Sequence, residues 1–204
     1  MSGIVLFGPP TAGKDTISTR LTEHDKRFRQ LVKVKVGSGR TTGYRVVGRA
    51  ELEALRAADR VVLETERYGN IYAIDRADLE LMHAAGHVPI VHLGSIAHLR
   101  MFRAAVREPW LCVLLWVPRE VCGQRSTGRG DRDTSDRLAA WDAARSDLAA
   151  APRDESLFHL MLRTDRLSAV AAAGMVARAY ASPPWKYPEA ALSEFVDEDC
   201  SVSH

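Results

Sequence analysis

The chain has 204 residues, of which 46% are hydrophobic and 26% charged, proportions that are ordinary for a globular protein of one well-packed domain. Its net charge of +2 is too small to favour nucleic acid or a membrane surface as a partner. The cysteines Cys112, Cys122 and Cys200 lack metal-ligand spacing, and no signal peptide or long apolar span begins the chain. We therefore expect a cytoplasmic protein, with Cys112 as a small core residue.

The first predicted elements are a short buried strand, Ile4 to Phe7, and the glycine-rich loop that follows it. Gly8, Gly13 and Lys14 have the G-x-x-x-x-G-K spacing of a phosphate-binding loop. Glycines allow successive main-chain N–H groups to face one point, the next helix directs its free N–H groups there, and a lysine adds charge for the outer phosphates. The predicted ATP-binding residues are Gly8, Pro9, Pro10, Thr11, Ala12, Gly13, Lys14, Asp15 and Thr16.

Asp15 occupies the position at which such loops usually carry a Ser or Thr that binds Mg²⁺. Thr16 comes next, as in the G-K-G-T variant of adenylate kinases. The helix dipole stabilises an anion in the first turn by about 0.3–1 kcal/mol, but neighbouring phosphates repel it. Either Asp15 turns away from the phosphates while Thr16 binds the metal, or its carboxylate reaches Mg²⁺ directly or through water. We favour Thr16 as the metal ligand with Asp15 in support.

Strands and helices alternate along the rest of the chain. Strands are predicted in LVKVKV, whose alternation indicates a half-exposed strand, and in RVVLET, RYGNIYAI, HVPIVHL, WLCVLLWV and LFHLMLRTD. Helices are predicted at about Lys14 to Glu23, roughly Arg49 to Ala58, and in RADLELMHAAG, SIAHLRMFRAAV, PREVCGQR and RLSAVAAAGMVARAY. This alternation predicts a parallel sheet covered on both faces, with the ligand at the carboxyl ends of the strands, where the phosphate loop lies.

The segment from Gln124 to Arg145 begins without apolar periodicity and then becomes helical. Its first half sets four arginines among Gly, Ser, Thr and Asp, namely Arg125, Arg129, Arg132 and Arg137. Alone, this composition indicates a solvated surface loop. After a phosphate-binding loop, it favours a lid that closes arginines over a triphosphate and excludes water.

The order of these features resembles the guanylate-kinase-like branch of nucleoside monophosphate kinases over about residues 1 to 180. RTTGYR lies where that family has T-T-R-x-x-R, VVLETERYGNIYAI is similar to its Leu-Glu pair followed by G-N-x-Y, and RGDRDTSDRL resembles its lid. The resemblance implies an α/β, three-layer P-loop NTPase fold with a parallel central sheet, an inserted acceptor-binding lobe and an arginine-rich lid.

The resemblance also implies a division of the chain. Residues 1–181 form one domain, with its core in 1–32, 86–123 and 141–181, its acceptor-binding lobe in 33–85 and its lid in 124–140. Residues 182–204 lie outside the resemblance, since their prolines mark a boundary and their end is acidic and polar. We expect a loosely packed tail there, or one that Trp185, Tyr187 and Phe195 dock onto the core or a partner.

By resemblance, Arg40 or Arg45 neutralises the acceptor's phosphate, Tyr72 donates its hydroxyl to that phosphate, and Glu64 lies near the acceptor's base or sugar. Glu64 as a solvent-facing strand residue and Tyr72 as a half-buried sheet residue are the alternatives. The family's clamp on the transferring phosphoryl group corresponds to Arg125, Arg129 and Arg137, which join Lys14 as predicted catalytic residues. Bidentate arginine matches phosphate geometry, and a phenol hydroxyl gives a directional bond without another charge.

Two motifs point to a sibling of guanylate kinase. GKDT and AAGHVPIVHLGSIAHL resemble ribose 1,5-bisphosphate phosphokinase, and Leu93, Gly94 and Ser95 stand where guanylate kinases usually carry an aspartate. We predict an ATP- and Mg²⁺-dependent transfer of the γ-phosphoryl group to a nucleoside monophosphate, GMP-like or modified. The alternatives are transfer to ribose 1,5-bisphosphate and a non-catalytic guanylate-kinase-like module that binds a peptide. The expected partner of the enzyme is a small phosphorylated molecule, with neither nucleic acid nor membrane.

Overall fold

A parallel sheet forms the centre of the fold. The computed structural model describes residues 2–39, 41–67, 69–131, 133–152, 156–188 and 192–197. Within them the strands are β1 (Ile4–Phe7), β2 (Phe28–Gln30), β3 (Lys33–Val36), β4 (Tyr44–Val46), β5 (Val61–Arg67), β6 (Asn70–Asp75), β7 (Val88–Leu93), β8 (Leu111–Trp116) and β9 (Leu160–Arg163). The central sheet has the order β2-β7-β1-β8-β9, and every neighbouring pair is parallel. The carboxyl ends of these five strands therefore meet at one edge.

Helices connect the strands, as crossovers between parallel strands require. In the same described part of the chain they are α1 (Lys14–His24), α2 (Arg49–Ala57), α3 (Arg76–Ala84), α4 (Ile96–Ala105), α5 (Arg119–Gly128), α6 (Thr134–Ala149), α7 (Ala169–Tyr180) and α8 (Leu192–Asp197). None of them combines the length and the apolar composition that a membrane crossing needs.

The central strands are apolar along their whole length because helices cover both sides of the sheet. Every residue of β1 and β8 is buried. Cys112 on β8 is 1% exposed, as predicted. Trp116 at the end of β8 packs against Trp141 of α6, with ring centroids 5.0 Å apart, and the indole of Trp141 donates to the carbonyl of Val117 at 2.8 Å. These contacts connect α6 to the strand that lies beside the phosphate loop.

A second, four-stranded sheet projects from the core in the order β4-β3-β6-β5. β3 is antiparallel to β6 and parallel to β4, and β5 is antiparallel to β6. α2 covers this sheet with Leu52 and Leu55, which join Val34, Val36 and Ala73 in a small core of their own. This second sheet falls within the residues predicted to form the acceptor-binding lobe.

One buried carboxylate holds the elements of the second sheet together. Asp75 at the N-terminus of α3 is 1% exposed. It accepts hydrogen bonds from Arg45 of β4 at 2.6 Å, from both Arg60 Nε and Nη2, and from the main-chain N–H of Ala77. Because a buried charge must be paired and fully hydrogen-bonded, this cluster fixes β4 and α3 relative to each other.

The described part of the C-terminal segment packs on the core. Tyr187 stacks on His159 with centroids 4.4 Å apart, and Trp185 lies against His159 and Tyr180. Val196 of α8 is 3% exposed, and α8 contacts α6. The docked alternative therefore holds for these residues, and the loosely packed alternative does not.

Three sequence expectations need correction. The short strands β2 and β4 were not predicted, because three residues carry too little periodicity to be recognised. The strand in LVKVKV is more buried than its alternation indicates: the Lys35 side chain is buried because its ammonium donates to the carbonyl of Ser38 and lies over the rings of Tyr44 and Tyr72. Most of the predicted lid is helical, since α5 runs to Gly128 and α6 begins at Thr134.

Candidate active site

The loop between β1 and α1 has the geometry of an anion-binding turn. Gly13 precedes α1 with φ 90°, a left-handed conformation that favours glycine, and its carbonyl accepts from Ile17 at 2.9 Å. A side chain on Gly8 would collide with the main-chain carbonyl of Leu115. The loop therefore passes close over β8 and leads directly into the N-terminus of α1, whose free N–H groups and positive dipole end attract phosphate.

Lys14 lies across the mouth of this loop. Its ammonium donates to the carbonyl oxygens of Gly8 at 2.6 Å and Pro9 at 2.7 Å. Burial lowers the pKa of Lys14 from 10.5 to about 8, while neighbouring Asp15 opposes that decrease. Because main-chain carbonyls carry only partial charge, this ammonium can exchange them for the oxygens of a phosphate.

A second layer of side chains supports the loop from behind. The hydroxyl of Thr164, just after β9, donates to the carbonyl of Ala12 at 3.0 Å. Arg125 of α5 donates to the carbonyl of Thr11 at 3.1 Å and to that of Thr164 at 2.7 Å. Because the carbonyls of Thr11 and Ala12 bond to side chains behind the loop, the N–H groups of the loop are left to face the cavity. The structure thus places Arg125 beneath the loop, outside the residues that line the adjoining cavity.

Asp15 and Thr16, the predicted magnesium ligands, both line the cavity with exposed side chains. A carboxylate oxygen of Asp15 is 3.5 Å from Nδ1 of His92 at the end of β7, and Nε2 of His92 is 2.7 Å from the hydroxyl of Ser18. Burial, and then the charge of Lys14, lower the pKa of His92 far below its usual range. A hydroxyl and a carboxylate are the oxygen ligands that Mg²⁺ prefers, so the donor set fits this metal.

One cavity of about 660 Å³ extends from the phosphate loop to the second sheet. Tyr72 of β6 lines it beside Tyr44 of β4, with ring centroids 5.3 Å apart. Lys35 lies 5.6 Å and 5.8 Å from the centroids of these two rings, within cation–π distance. The structure therefore brings Tyr72 and the phosphate loop to one cavity, and the hydrogen bond from Tyr72 to an acceptor phosphate stays a prediction.

Two other predicted acceptor residues lie away from the cavity lining. Arg45 pairs with Asp75, Asp78 and Glu51 in the ion cluster of the second sheet. Both oxygens of Glu64 accept from Arg56 of α2, at 2.5 Å and 3.0 Å. Their roles at the acceptor remain predictions, and each would require the side chain to leave its present partner. Arg40, the alternative to Arg45, lies outside the described residues.

The predicted lid contributes two arginines to the cavity. Arg129, at the turn after α5, and Arg137, in the first turns of α6, both line it. Arg137 Nε lies 2.9 Å from Asp133 and 3.3 Å from Asp131, and it lowers the pKa of Asp133. These two arginines face the phosphate loop across the cavity. Arg132, the fourth arginine of this segment, lies outside the described residues.

The structure adds residues that the sequence analysis did not select. The cavity is also lined by Lys33, Tyr44, Glu66, Arg67 and His92. One signal was available for Lys33: the chain has only five lysines, and two of them alternate along LVKVKV. The positions of the other four residues in the cavity wall are set by tertiary folding, because nothing in their local sequence distinguishes a residue of a cavity wall from one at a solvated strand end.

Comparisons with known proteins address the fold. No protein-family model matches the chain, and no curated protein sequence matches it. Among solved structures, guanylate kinase from Anaplasma phagocytophilum superimposes with a TM-score of 0.62 at 17% identity, covering 100% of this chain and 97% of that one. Shikimate kinase from Acinetobacter baumannii in complex with shikimate and the YorR protein from Bacillus subtilis in complex with phosphorylated GDP each match with a TM-score of 0.45 at 16% identity. The first covers 90% of this chain and 95% of its own, and the second 89% and 96%.

The full-length superposition agrees with the geometry described above: a parallel sheet, a glycine-rich loop entering α1, and a second sheet across the cavity. The chain therefore has the guanylate-kinase-like P-loop kinase fold.

Proposed function

We propose that the protein is an ATP- and Mg²⁺-dependent phosphotransferase that moves the γ-phosphoryl group to a phosphate oxygen of a small acceptor, a nucleoside monophosphate in the first instance. One observation carries this proposal: the phosphate loop with Lys14, two arginines of the predicted lid (Arg129 and Arg137) and Tyr72 line a single cavity. A donor phosphate at the loop and an acceptor phosphate at the tyrosines would then face each other. Binding two reactants in one orientation is a large part of catalysis in such reactions.

In the proposed reaction, an oxygen of the acceptor's phosphate forms a bond to the γ-phosphorus. The bond between that phosphorus and the oxygen bridging to the β-phosphorus breaks, and ADP leaves with the electron pair. The loop N–H groups bind the donor's phosphate oxygens, and Lys14 exchanges the carbonyls of Gly8 and Pro9 for them. Arg129 and Arg137 close onto the transferring group, with Arg137 leaving Asp133 and Asp131.

Thr16 and Asp15 would hold the metal of the proposed reaction. Bound there, Mg²⁺ would supply positive charge that offsets the charge of the donor's phosphates. Thr16 provides a hydroxyl in the first turn of α1, and the carboxylate of Asp15 beside it lies 3.5 Å from Nδ1 of His92. Leu93, Gly94 and Ser95, at the end of β7, stand where guanylate kinases usually carry an aspartate, and the carboxylate of Asp15 would take its place.

A second acceptor, ribose 1,5-bisphosphate, is favoured by the position of Glu64. The residue expected to recognise a base is paired with Arg56 outside the cavity lining. An acceptor without a base has no need of that carboxylate, whereas additional phosphate would suit the lysines and arginines of the cavity. The GKDT motif supports the same alternative.

The test is ADP release from Mg-ATP with GMP, dGMP, AMP, CMP, UMP or ribose 1,5-bisphosphate, with each product identified by mass. Lys14→Ala is the inactive variant, and Lys186→Ala, which changes an exposed lysine outside the site, is its matched control. We expect turnover with one acceptor, loss of it in Lys14→Ala, and retention in Lys186→Ala. An unchanged rate in Lys14→Ala would refute the phosphate-loop mechanism. ATP binding without transfer to any acceptor would favour a non-catalytic binding module.

A further inference from the structure

Lys33, at the start of β3, is a cavity lysine with no assigned role. Its ammonium is partly buried and donates to the main-chain carbonyl of His92 at 2.8 Å. Among the described residues no carboxylate forms an ion pair with it. Lys14, also on the cavity wall, is similar: within the described part of the chain its ammonium donates to the carbonyls of Gly8 and Pro9 and forms no ion pair, although nearby Asp15 partly opposes the lowering of its pKa.

The two lysines act on the same small region. The charge of Lys33 contributes to the lowered pKa values of Lys14, His92 and His98. Burial lowers the pKa of Lys33 itself from 10.5 to about 8. Lys33 therefore belongs to the electrostatic surroundings of the phosphate loop, although it is carried by a strand of the second sheet.

Two arginines near the cavity, by contrast, have carboxylate partners. Arg45 has three carboxylates around it, and Arg137 has two. A partly buried ammonium without a carboxylate is costly, and such groups occur where a ligand completes the pairing. Two of them line one cavity, where the charge of Lys33 contributes to the lowered pKa of Lys14, and together they form a site for a group with more than one negative charge.

The position of Lys33 identifies which phosphate that group belongs to. β3 leads from Lys33, beside the end of β7, to Lys35, which lies over Tyr44 and Tyr72. Lys33 thus stands between the phosphate loop and the tyrosine pair. A donor phosphate at the loop already meets Lys14 and the N–H groups of α1, whereas Lys33 lines the cavity at the position of β3 that pairs with Tyr44, on the acceptor side.

We propose that Lys33 is a binding residue for the phosphate of the acceptor, holding it beside the donor's γ-phosphate; this inference rests on the proposed phosphoryl transfer. The ammonium exchanges the carbonyl of His92 for a phosphoryl oxygen. It offsets the repulsion between two phosphates that must approach within bonding distance, and it leaves the oxygen that attacks unprotonated.

The test uses inorganic phosphate as the probe, titrated by ³¹P NMR into the full-length protein saturated with Mg-AMPPNP. The variants are Lys33→Met, Lys33→Arg and, as matched control, the exposed Lys186→Met. We expect Lys33→Met to weaken phosphate binding about tenfold or more, the loss typical of one charge-assisted hydrogen bond. AMPPNP binding should stay within about twofold, Lys33→Arg should recover much of the phosphate binding, and Lys186→Met should match the wild type.

Three results would overturn the inference. The first is equal phosphate affinity in Lys33→Met and Lys186→Met, and the second is a loss of AMPPNP affinity in Lys33→Met as large as its loss of phosphate affinity. The third is no phosphate binding by the wild type. A melting temperature of Lys33→Met equal to or above that of the wild type is also expected, because a lysine that only supported the fold would lower it on removal.

Turnover with GMP and ribose 1,5-bisphosphate separates this inference from the proposed function. If phosphate binding depends on Lys33 but no phosphoryl transfer occurs, the binding role of Lys33 is supported and the proposed kinase activity is refuted. If Lys33→Met transfers phosphate with an unchanged acceptor KM, the kinase activity is supported and the binding role of Lys33 is refuted.

Discussion

Replacing Lys33 by methionine should stabilise the protein, and the gain should disappear at high pH. The pKa of Lys33 is about 8 in the folded protein against an ordinary 10.5, because burial disfavours the ammonium. At about 1.4 kcal/mol per pH unit this shift corresponds to about 3.5 kcal/mol. Partial exposure of the side chain reduces that figure to about 1–2 kcal/mol.

The direction in which the free energy of unfolding changes with pH follows from how many protons each state binds. Between pH 8 and 10.5 the unfolded chain holds more protons on Lys33 than the folded chain, so stability rises with pH across this window. Below pH 8 Lys33 is protonated in both the folded and the unfolded chain, so the free-energy cost of burying its ammonium is fully present. Met keeps the apolar stem and never carries the charge, so Lys33→Met should be more stable by about 1–2 kcal/mol at pH 7. This advantage should shrink towards zero by pH 10.5.

Urea unfolding of wild type and Lys33→Met, measured at intervals from pH 7 to 10.5, provides the test. The difference between the two proteins removes the contribution of groups that do not interact with Lys33. Lys14 does interact with it, so its pKa should rise in Lys33→Met and add to the measured difference. A difference that stays constant with pH would show that the ammonium is not disfavoured by the fold. A less stable Lys33→Met at pH 7 would refute the reasoning, since it would make Lys33 a structural residue.

Four further predictions concern other charged side chains. Asp75→Ala should destabilise the protein by about 3–5 kcal/mol in urea unfolding, because two arginines lose a buried partner; a loss below about 1 kcal/mol would contradict this role. Arg125→Met should weaken ATP binding and lower the melting temperature together, since it leaves the carbonyls of Thr11 and Thr164 unpaired. Arg129→Met should instead reduce turnover with the melting temperature unchanged, and identical behaviour of the two variants would argue against a supporting role for Arg125. Glu64→Gln should leave the acceptor KM within about twofold because its carboxylate lies on Arg56, whereas a rise of about tenfold or more would indicate base recognition.

The core of the fold could be predicted because its signals are local and long. WLCVLLWV is apolar throughout, since β8 is covered on both faces, and the strand was expected where the structure has it. The loop before α1 was recognisable from Gly8, Gly13 and Lys14, whose spacing reflects main-chain geometry. β2 and β4 escaped prediction because three residues carry too little periodicity, and the strand that pairs with β2 lies far along the chain.

The acceptor side of the cavity was less predictable. Tyr72 was selected and lines the cavity, but Glu64 and Arg45, selected by the same resemblance, have Arg56 and the Asp75 cluster as partners. A motif records which residues follow one another, not which of several oppositely charged groups will lie nearest once the chain is folded. The role of Lys33 was not predicted because its sequence position does not show which groups lie near its ammonium in the folded chain.

The sequence alone determined that a glycine-rich, lysine-bearing loop follows a buried strand in an alternating α/β chain, because these properties depend on conformational freedom and hydrophobic periodicity within a few residues. Tertiary structure alone decided which charges were paired. It surrounded Arg45 with carboxylates, placed Arg125 beneath the loop and left Lys33 facing the cavity with a carbonyl as its partner. Electrostatic roles depend on distances between residues far apart in the chain, and folding sets those distances.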